Sequence, residues 1–548
     1  MRTPLLILLV SISSIIPAAT YLPSNPSQTK ALLNFKTGTT STQQTQLNAC
    51  PPPKSIAVIG AGPAGVASAI SLSKAYPSSS ITLIDESADP AHYDPLRSYL
   101  YLVDFRGQTF INKHLDSSAV KLDDISVAQT DFVLQVLETN SPKPPVSLPI
   151  INTNRKTPFW VQRGHLVKLL SNSLPDSVTR CYGNKVSRCE YVAQSDSYVI
   201  TVSPTSDDFS FLHENEMEKF EADLVIAADG INSFIRENLF DQPTITSRKS
   251  PAGKLRFKAL QINSNFTAYD DADATPTLQS DPISAYAIRS TKKAYDTKLG
   301  MGILPIRTSA SALLGLESSS TRPANIITRD DHFIHSESAA DATELQRFLE
   351  ESFPQLAFSG KNSVVAEDEL SRFSKSLGTV FPHPQHAKKL IQNSSPNAGI
   401  VLVGDSAHAF PPDIGQGVNA ALVDVVELEK TLTDPRHQNL ASALSNYEKI
   451  RLPETKALIK LCATSNPFQY RQTGIISSLR QKLWTANFVL RLLLSKIFGK
   501  LFSPNSFYAM QGEFSYVKIM RRCDRTTALL YLPVFALLLS RKIIKQLI

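Results

Sequence analysis

Residues 55–70, SIAVIGAGPAGVASAI, set an apolar run, a glycine-rich turn and a run of small residues in direct succession. The Ile/Ala/Val run predicts a strand buried on both faces, and the Ala/Ser-rich stretch after Pro63 predicts a helix lying close against it. Between them stand Gly60, Gly62 and Gly65 in a G-x-G-x-x-G pattern. Gly60 permits the tight turn, Gly62 lets a pyrophosphate approach the backbone, and Gly65 lets the helix lie against the strand. The positive end of the helix then faces the phosphates. A second buried strand, SITLIDES at 80–87, carries Asp85, 25 residues after Gly60, placed to accept hydrogen bonds from an adenosine ribose. Strand, helix and acid in register predict a dinucleotide site in a βαβ unit.

The rest of the 548-residue chain is large enough for two or three compact units. Its net charge of +7 is unevenly spread: fifteen Lys/Arg against Glu513 and Asp524 follow Thr455, so the tail carries about +13 and the remainder about −6. A basic tail on an acidic body points to a polyanionic surface. The aromatics of that tail lie among Leu runs, which favours a membrane over nucleic acid. Cys50, Cys181, Cys189, Cys462 and Cys523 form no C-x-x-C pair, so neither a zinc framework nor a disulfide scaffold is expected. At the other end, LLILLV followed by SSIIPAAT, with no acid before Asp85, reads as a targeting leader outside the fold over 1–54. A disordered tail with an apolar start is the alternative.

Two further motifs follow. ADLVIAADGINSFIR, at 222–236, predicts a strand ending at Asp229-Gly230 and a helix beyond; alone, Asp229 reads as a helix cap. Residues 401–422, VLVGDSAHAFPPDIGQGVNAAL, deliver Asp405 from a buried strand, a rigid Pro411-Pro412 corner, and a glycine-bracketed helix start at Val418 and Asn419. Bare amides there suit an electron-rich carbonyl of a ring cofactor, and Asp405 suits polyol hydroxyls. Between these motifs KLRFKALQIN, ISAYAIRS, KLGMGILPIR and SALLGLES alternate as antiparallel strands do, and DATELQRFLEESFPQL follows as a helix. RSYLYLVDFRGQTFINKHL predicts a turn and helix, and WVQRGHLVKLLSNSL another helix. The economical architecture is one α/β domain (55–250 and 376–455) interrupted by a mainly antiparallel β domain (251–375), with a basic helical tail at 456–548.

Taken together, GAGPAG, AADGINSFIR and GDSAHAFPPDIGQGVNAA resemble the class A FAD-dependent aromatic monooxygenases, the para-hydroxybenzoate hydroxylase fold, over about 56–453. The resemblance implies a Rossmann-like FAD-binding domain with an inserted β-sheet substrate domain. It implies FAD contacts at Gly60, Gly62, Gly65, Asp85, Asp229, Asp405, Val418 and Asn419, with Arg163 of VQRGHLVKLL beside the flavin. RSYLYLVDFRGQTFI, YEKIRLPETKALIKL and LFSPNSFYAMQGEFSYVKIMRRC resemble segments of the kynurenine 3-monooxygenase branch; the arginine-rich stretch that branch uses for its substrate carboxylate has no counterpart here. The implied chemistry is FAD reduction by NAD(P)H, O2 capture as a flavin C4a-hydroperoxide, and oxygen transfer to an aromatic or similar small molecule. No second dinucleotide fingerprint is present, so NAD(P)H is expected to bind transiently. No catalytic acid or base is assigned. A squalene-epoxidase-like lipid epoxidase and a flavin-free Rab GDP-dissociation-inhibitor-like binding protein are the alternatives, the second lacking the late motif. The acid-free stretch 477–502 reads as a basic amphipathic helix on a membrane surface or a lid over the site, and the apolar run 528–539, with Pro533, as a shallow anchor. With the leader, these predict an organellar or endomembrane location.

Overall fold

The computed structural model describes residues 51–92, 99–115, 120–130, 133–138, 146–149, 156–205, 217–270, 275–291, 299–317, 320–468 and 475–547. The leader expected over the first residues lies almost wholly outside them, as does the arginine that opens RSYLYLVDF.

The central sheet is built as the first motif requires. Strand β1 (Ser55–Ile59) leads through the glycine turn into α1 (Pro63–Ala75) and back to β2 (Ser80–Asp85). Helix α1 stops at Ala75, with Tyr76 as its C-cap ahead of Pro77, which cannot continue it. Strands β3 (Val178–Tyr182), β4 (Leu224–Ala227), β5 (Ile391–Asn393) and β6 (Gly399–Leu402) complete six strands in the order β5–β6–β4–β1–β2–β3. All neighbours run parallel except β5 against β6. The register brings four strand ends side by side: Ile59 lies opposite Ile84 and Ala227, and Ala227 opposite Leu402. Each of the three motifs begins within a residue or two of these ends, so residues from three distant parts of the chain share one sheet edge. The chain changes sides of β1 between β3 and β4, and such a switch point opens a crevice at the carboxyl ends of the strands.

Two small-residue helices cover this sheet. Helix α2 (Gly417–Leu432) lies against α1, and α3 (Leu440–Thr464) packs Leu440, Ala443, Leu444 and Tyr447 into the same core. A three-stranded antiparallel unit, Asn184–Val192, Ser197–Pro204 and Glu218–Ala222, adds Tyr198, Ile200 and Val202 to it.

A second core belongs to a seven-stranded sheet whose strands run Thr379–Val380, Arg256–Asn263, Thr321–Thr328, Gly300–Ile303, Ala285–Arg289, Val133–Leu137 and Val146–Pro149. The period-two pattern of 256–263 sorts its side chains: Leu260 and Ile262 join the core beneath helix Ala342–Ser352, while Phe257 and Ala259 cluster with Phe381. Two strands come from before residue 150, and Ala285–Arg289 pairs with Val133–Leu137 in parallel. Three local expectations are corrected. SALLGLES forms the short helix Ala310–Leu313, because Ala310 and Leu314 drop into the first core from one side of a single turn. Leu100–Val103 and Phe159–Gln162 are strands that pair with each other ahead of their helices, where a turn and a helix start were expected.

The tail is built into the protein. Helix α4 (Ile475–Ile497) and helix α5 (Tyr516–Leu547) follow α3, and Met510, Tyr516, Ile519 and Cys523 form a third core with Ile414, Ala420, Leu458 and Leu461. Arg106 fastens this junction, donating to the carbonyls of Met510, Gly512 and Phe514 while paired with Asp104 at 2.7 Å.

Candidate cofactor site

The first motif has the geometry its glycines predict. Gly60 adopts φ +97°, and a Cβ there would lie 2.3 Å from the Ala228 carbonyl oxygen. A Cβ on Gly65 would lie 1.7 Å from the Gly60 oxygen, so the helix can approach the strand only without one. A Cβ on Gly62 meets nothing within 4 Å, and α1 starts there with no side-chain cap. Open space therefore lies beside bare, positively polarised amides, as a diphosphate needs. Asp85 braces the loop: Ala61 N–H donates to its Oδ2 at 2.5 Å and Ser87 N–H to its Oδ1 at 2.8 Å. Lone pairs remain on both oxygens for a ribose.

The second motif is partly a helix cap and partly not. Ile235 N–H donates to Asp229 Oδ2 at 3.2 Å, but Ser233 is the N-cap residue. Asp229 Oδ1 is buried with no hydrogen-bond partner, and burial raises the pKa of this carboxyl. A buried acceptor left unfilled by the protein is a place for a donor from elsewhere. Arg236, buried, donates to the Ile231 carbonyl at 2.7 Å and to that of Ser406 at 2.8 Å, tying the second motif to the third.

In the third motif Gly404 at φ +65° turns the chain, and Asp405 remains solvent-accessible while protein walls crowd around it and raise its pKa. An accessible carboxylate so enclosed lies in a cleft. Arg163 faces the same cleft. Burial opposes its charge, but Tyr101, Tyr99 and Asp85 outweigh that and raise its pKa. Tyr101 is raised well above the ordinary phenol range by burial first, then by Tyr99, with Asp405 also contributing. These interactions join Asp85, Arg163, Tyr101 and Asp405 across one space.

The Pro411-Pro412 corner leads to Gly415 at φ +61° and to α2, which has no side-chain cap. Val418 and Asn419 stand in its first turn, so their backbone amides are the groups offered. The Asn419 side chain is already engaged: it accepts from Asp104 N–H at 2.9 Å and donates to the carbonyls of Leu102 (2.7 Å) and Gly415 (2.9 Å).

Sequence reasoning missed the group beneath this corner. Buried Asp424 accepts from Gly404 N–H at 2.9 Å, His408 Nε2 at 2.7 Å and Arg451 at 2.6 Å. Burial works against its charge, yet Arg451 and His408 hold its pKa below the usual range. Tyr447 donates to the Leu402 carbonyl at 3.3 Å. Arg451 and Tyr447 come from YEKIRLP, so the visible clue was a Tyr and an Arg one helical turn apart, ahead of Pro453.

The helix carrying Arg163 (Arg163–Ser171) also sets an acid limit on the fold. Its His165 lies 3.1 Å from Ser311 Oγ, and burial lowers its pKa from 6.5 to about 4. The folded state takes up this proton only near pH 4, the unfolded chain already near 6.5, so stability present above pH 6.5 is lost as pH falls toward 4. The loss is about 3 kcal/mol at most. Urea unfolding of His165→Gln across this range is expected to show a shallower pH dependence than wild type; an unchanged slope would assign the acid sensitivity elsewhere.

The sequence profile described as FAD binding domain matches residues 373–461, which hold the third motif, Asp424 and Arg451. Parts of the chain are similar to FAD-dependent monooxygenases. A kynurenine 3-monooxygenase of Salinispora tropica is 46% identical over 67 residues, 12% of this chain and 14% of that protein. A 3-(3-hydroxy-phenyl)propionate/3-hydroxycinnamic acid hydroxylase of Burkholderia vietnamiensis is 40% identical over 88 residues, 16% of each. The chain thus spans only about a seventh of the length of these curated relatives. A longer match, 23% identical over 59% of this chain and 72% of the relative, is to the FAD-dependent monooxygenase nscC of Arthroderma otae. Among solved structures, the tetrameric form of 2-methyl-3-hydroxypyridine-5-carboxylic acid oxygenase is 16% identical over 75% of this chain and 90% of that one, with a TM-score of 0.49.

Proposed function

We propose that this protein is an FAD-dependent, NAD(P)H-consuming monooxygenase that places one oxygen atom from O2 on an aromatic or similar small organic molecule. The observation that carries the reading is the shared edge of strand ends, where Ile84, Ile59, Ala227 and Leu402 set down Asp85, the open Gly62 turn, unsatisfied Asp229 and accessible Asp405 together. In this reading the Gly62 turn and the α1 start take the diphosphate, and Asp85 the adenosine ribose. Asp405 accepts from the ribityl hydroxyls, and Asp229 Oδ1 from a remaining donor. The first-turn amides of α2 would be available to the flavin's electron-rich carbonyl, where the positive helix end would stabilise negative charge. Arg163 adds a fixed cation to the same cleft. Bound FAD would supply the redox chemistry, drawing electrons from NAD(P)H and activating O2; the protein orients it and keeps water out.

The relatives' names support an aromatic substrate. The kynurenine branch gives the finer reading, through the YEKIRLP helix and the docked segment at 501–523. The test is purification with excess FAD, followed by NADH and NADPH oxidation assays with kynurenine and hydroxylated aromatic acids under 18O2. Yellow protein and substrate-stimulated uptake of one labelled oxygen are expected. Asp405→Ala is expected to raise the FAD dissociation constant at least about tenfold, roughly the value of one hydrogen bond to a charged group. Colourless wild type, or an Asp405→Ala variant that retains FAD like wild type, would sink the reading.

A further inference from the structure

Helix α4 is apolar on two opposite sides. Phe488 and Leu492 turn inward, and buried Arg491 fixes this face to α5 by donating to Thr527 Oγ1 at 2.7 Å and to the Cys523 carbonyl at 3.4 Å. On the far side Ile476, Leu479, Leu483, Leu490, Leu493 and Ile497 recur at spacings of three, four and seven, one continuous stripe at 3.6 residues per turn. Their exposures run from 43% to 69%, far above those of ordinary core residues. Tyr531 and Leu532 of α5 are exposed as well. A soluble surface rarely leaves so much apolar area contiguous without a use for it.

The charges beside the stripe identify what covers it. Arg480 flanks one side and Lys482 and Lys496 the other, all exposed, and no Asp or Glu occurs between Leu479 and Phe502. A second copy laid on this face would bring these cations together with no acid in either helix to neutralise them. Lipid phosphates neutralise them directly, while the long Lys and Arg stems reach up from a buried apolar face. We propose that α4 lies in the plane of an anionic lipid surface, its stripe among the acyl chains and Arg480, Lys482 and Lys496 at the phosphates. At about 1.5 Å per residue its 23 residues offer roughly 35 Å of contact. Among the described residues no helix is long and apolar enough to cross a membrane, so attachment through α4 is peripheral. The inference is independent of which reaction the protein catalyses.

The test is flotation of the full-length protein with phosphatidylserine–phosphatidylcholine vesicles and with phosphatidylcholine vesicles alone, at low and high salt. Wild type is expected to float with the anionic vesicles and to release as salt shortens the screening length. Lys482→Gln and Lys496→Gln are each expected to weaken that partition about fivefold. The L483E/L490E pair, at exposed positions, is expected to abolish flotation with an unchanged melting temperature; should the glutamates lower it, L483S/L490S takes their place. Wild type that stays unbound at low salt, or a stripe variant that floats like wild type, would overturn the proposal. So would a wild-type dimer in sedimentation that the stripe variants dissociate without affecting flotation, since the occupant would then be a second copy.

Discussion

Asp424→Ala is expected to cost about 3–5 kcal/mol, the range for leaving a buried charge without its partner. The variant strands the buried Arg451 guanidinium and removes the acceptor for Gly404 N–H and His408 Nε2 together. Thermal and urea unfolding would read this as a large drop in midpoint. The Asp424→Leu/Arg451→Met double variant, which buries no charge, is expected to recover most of it. Near-wild-type melting of Asp424→Ala alone would mean that the turn before Asp405 is held by something else. Because Asp424 does not face the cleft, any loss of FAD should follow the loss of fold and not precede it.

Gly65→Ala and Gly62→Ala are expected to fail in different ways. The new methyl at 65 would sit 1.7 Å from a backbone oxygen, so the turn must open, at a cost of more than about 3 kcal/mol in fold stability and with loss of FAD binding. The methyl at 62 meets no protein atom, so the apoprotein should melt as wild type does. It would nevertheless occupy the space through which a diphosphate reaches the backbone, and FAD affinity should fall about tenfold or more. Melting the two apoproteins and titrating each with FAD separates the outcomes. Unchanged affinity in Gly62→Ala would move the phosphates away from this turn.

The strands and turns that form the cleft were legible because their residues are constrained locally. Gly60 and Gly404 need positive φ, β6 and the part of β1 after Ser55 carry no polar side chain because both faces are buried, and Pro411-Pro412 fixes its own corner. What escaped the sequence depends on partners far along the chain. Leu100–Val103 is a strand only because Phe159–Gln162 pairs with it, and 133–137 joins the large sheet by pairing with 285–289. Ala310–Leu313 alternates well enough for a strand, but tertiary burial of Ala310 and Leu314 decides for a helical turn. The Asp424–Arg451 pair was invisible for the same reason: nothing near either residue announces a partner 27 positions away. Asn419 shows the reverse case, a residue correctly placed at the helix start whose side chain serves the scaffold.

The clasp of Arg106 on the carbonyls of Met510, Gly512 and Phe514, with Tyr516 donating to Gln416 just ahead of α2, bears on the order in which the protein is made. A ribosome releases the glycine fingerprint first, but β1 stays unpaired on one edge until residue 227 has emerged, and the corner at 411–416 lacks its inner lining until residue 523 has. The glycine turn is therefore made long before the corner at 411–416 is complete. Residues 510–523 supply the wall that lines that corner.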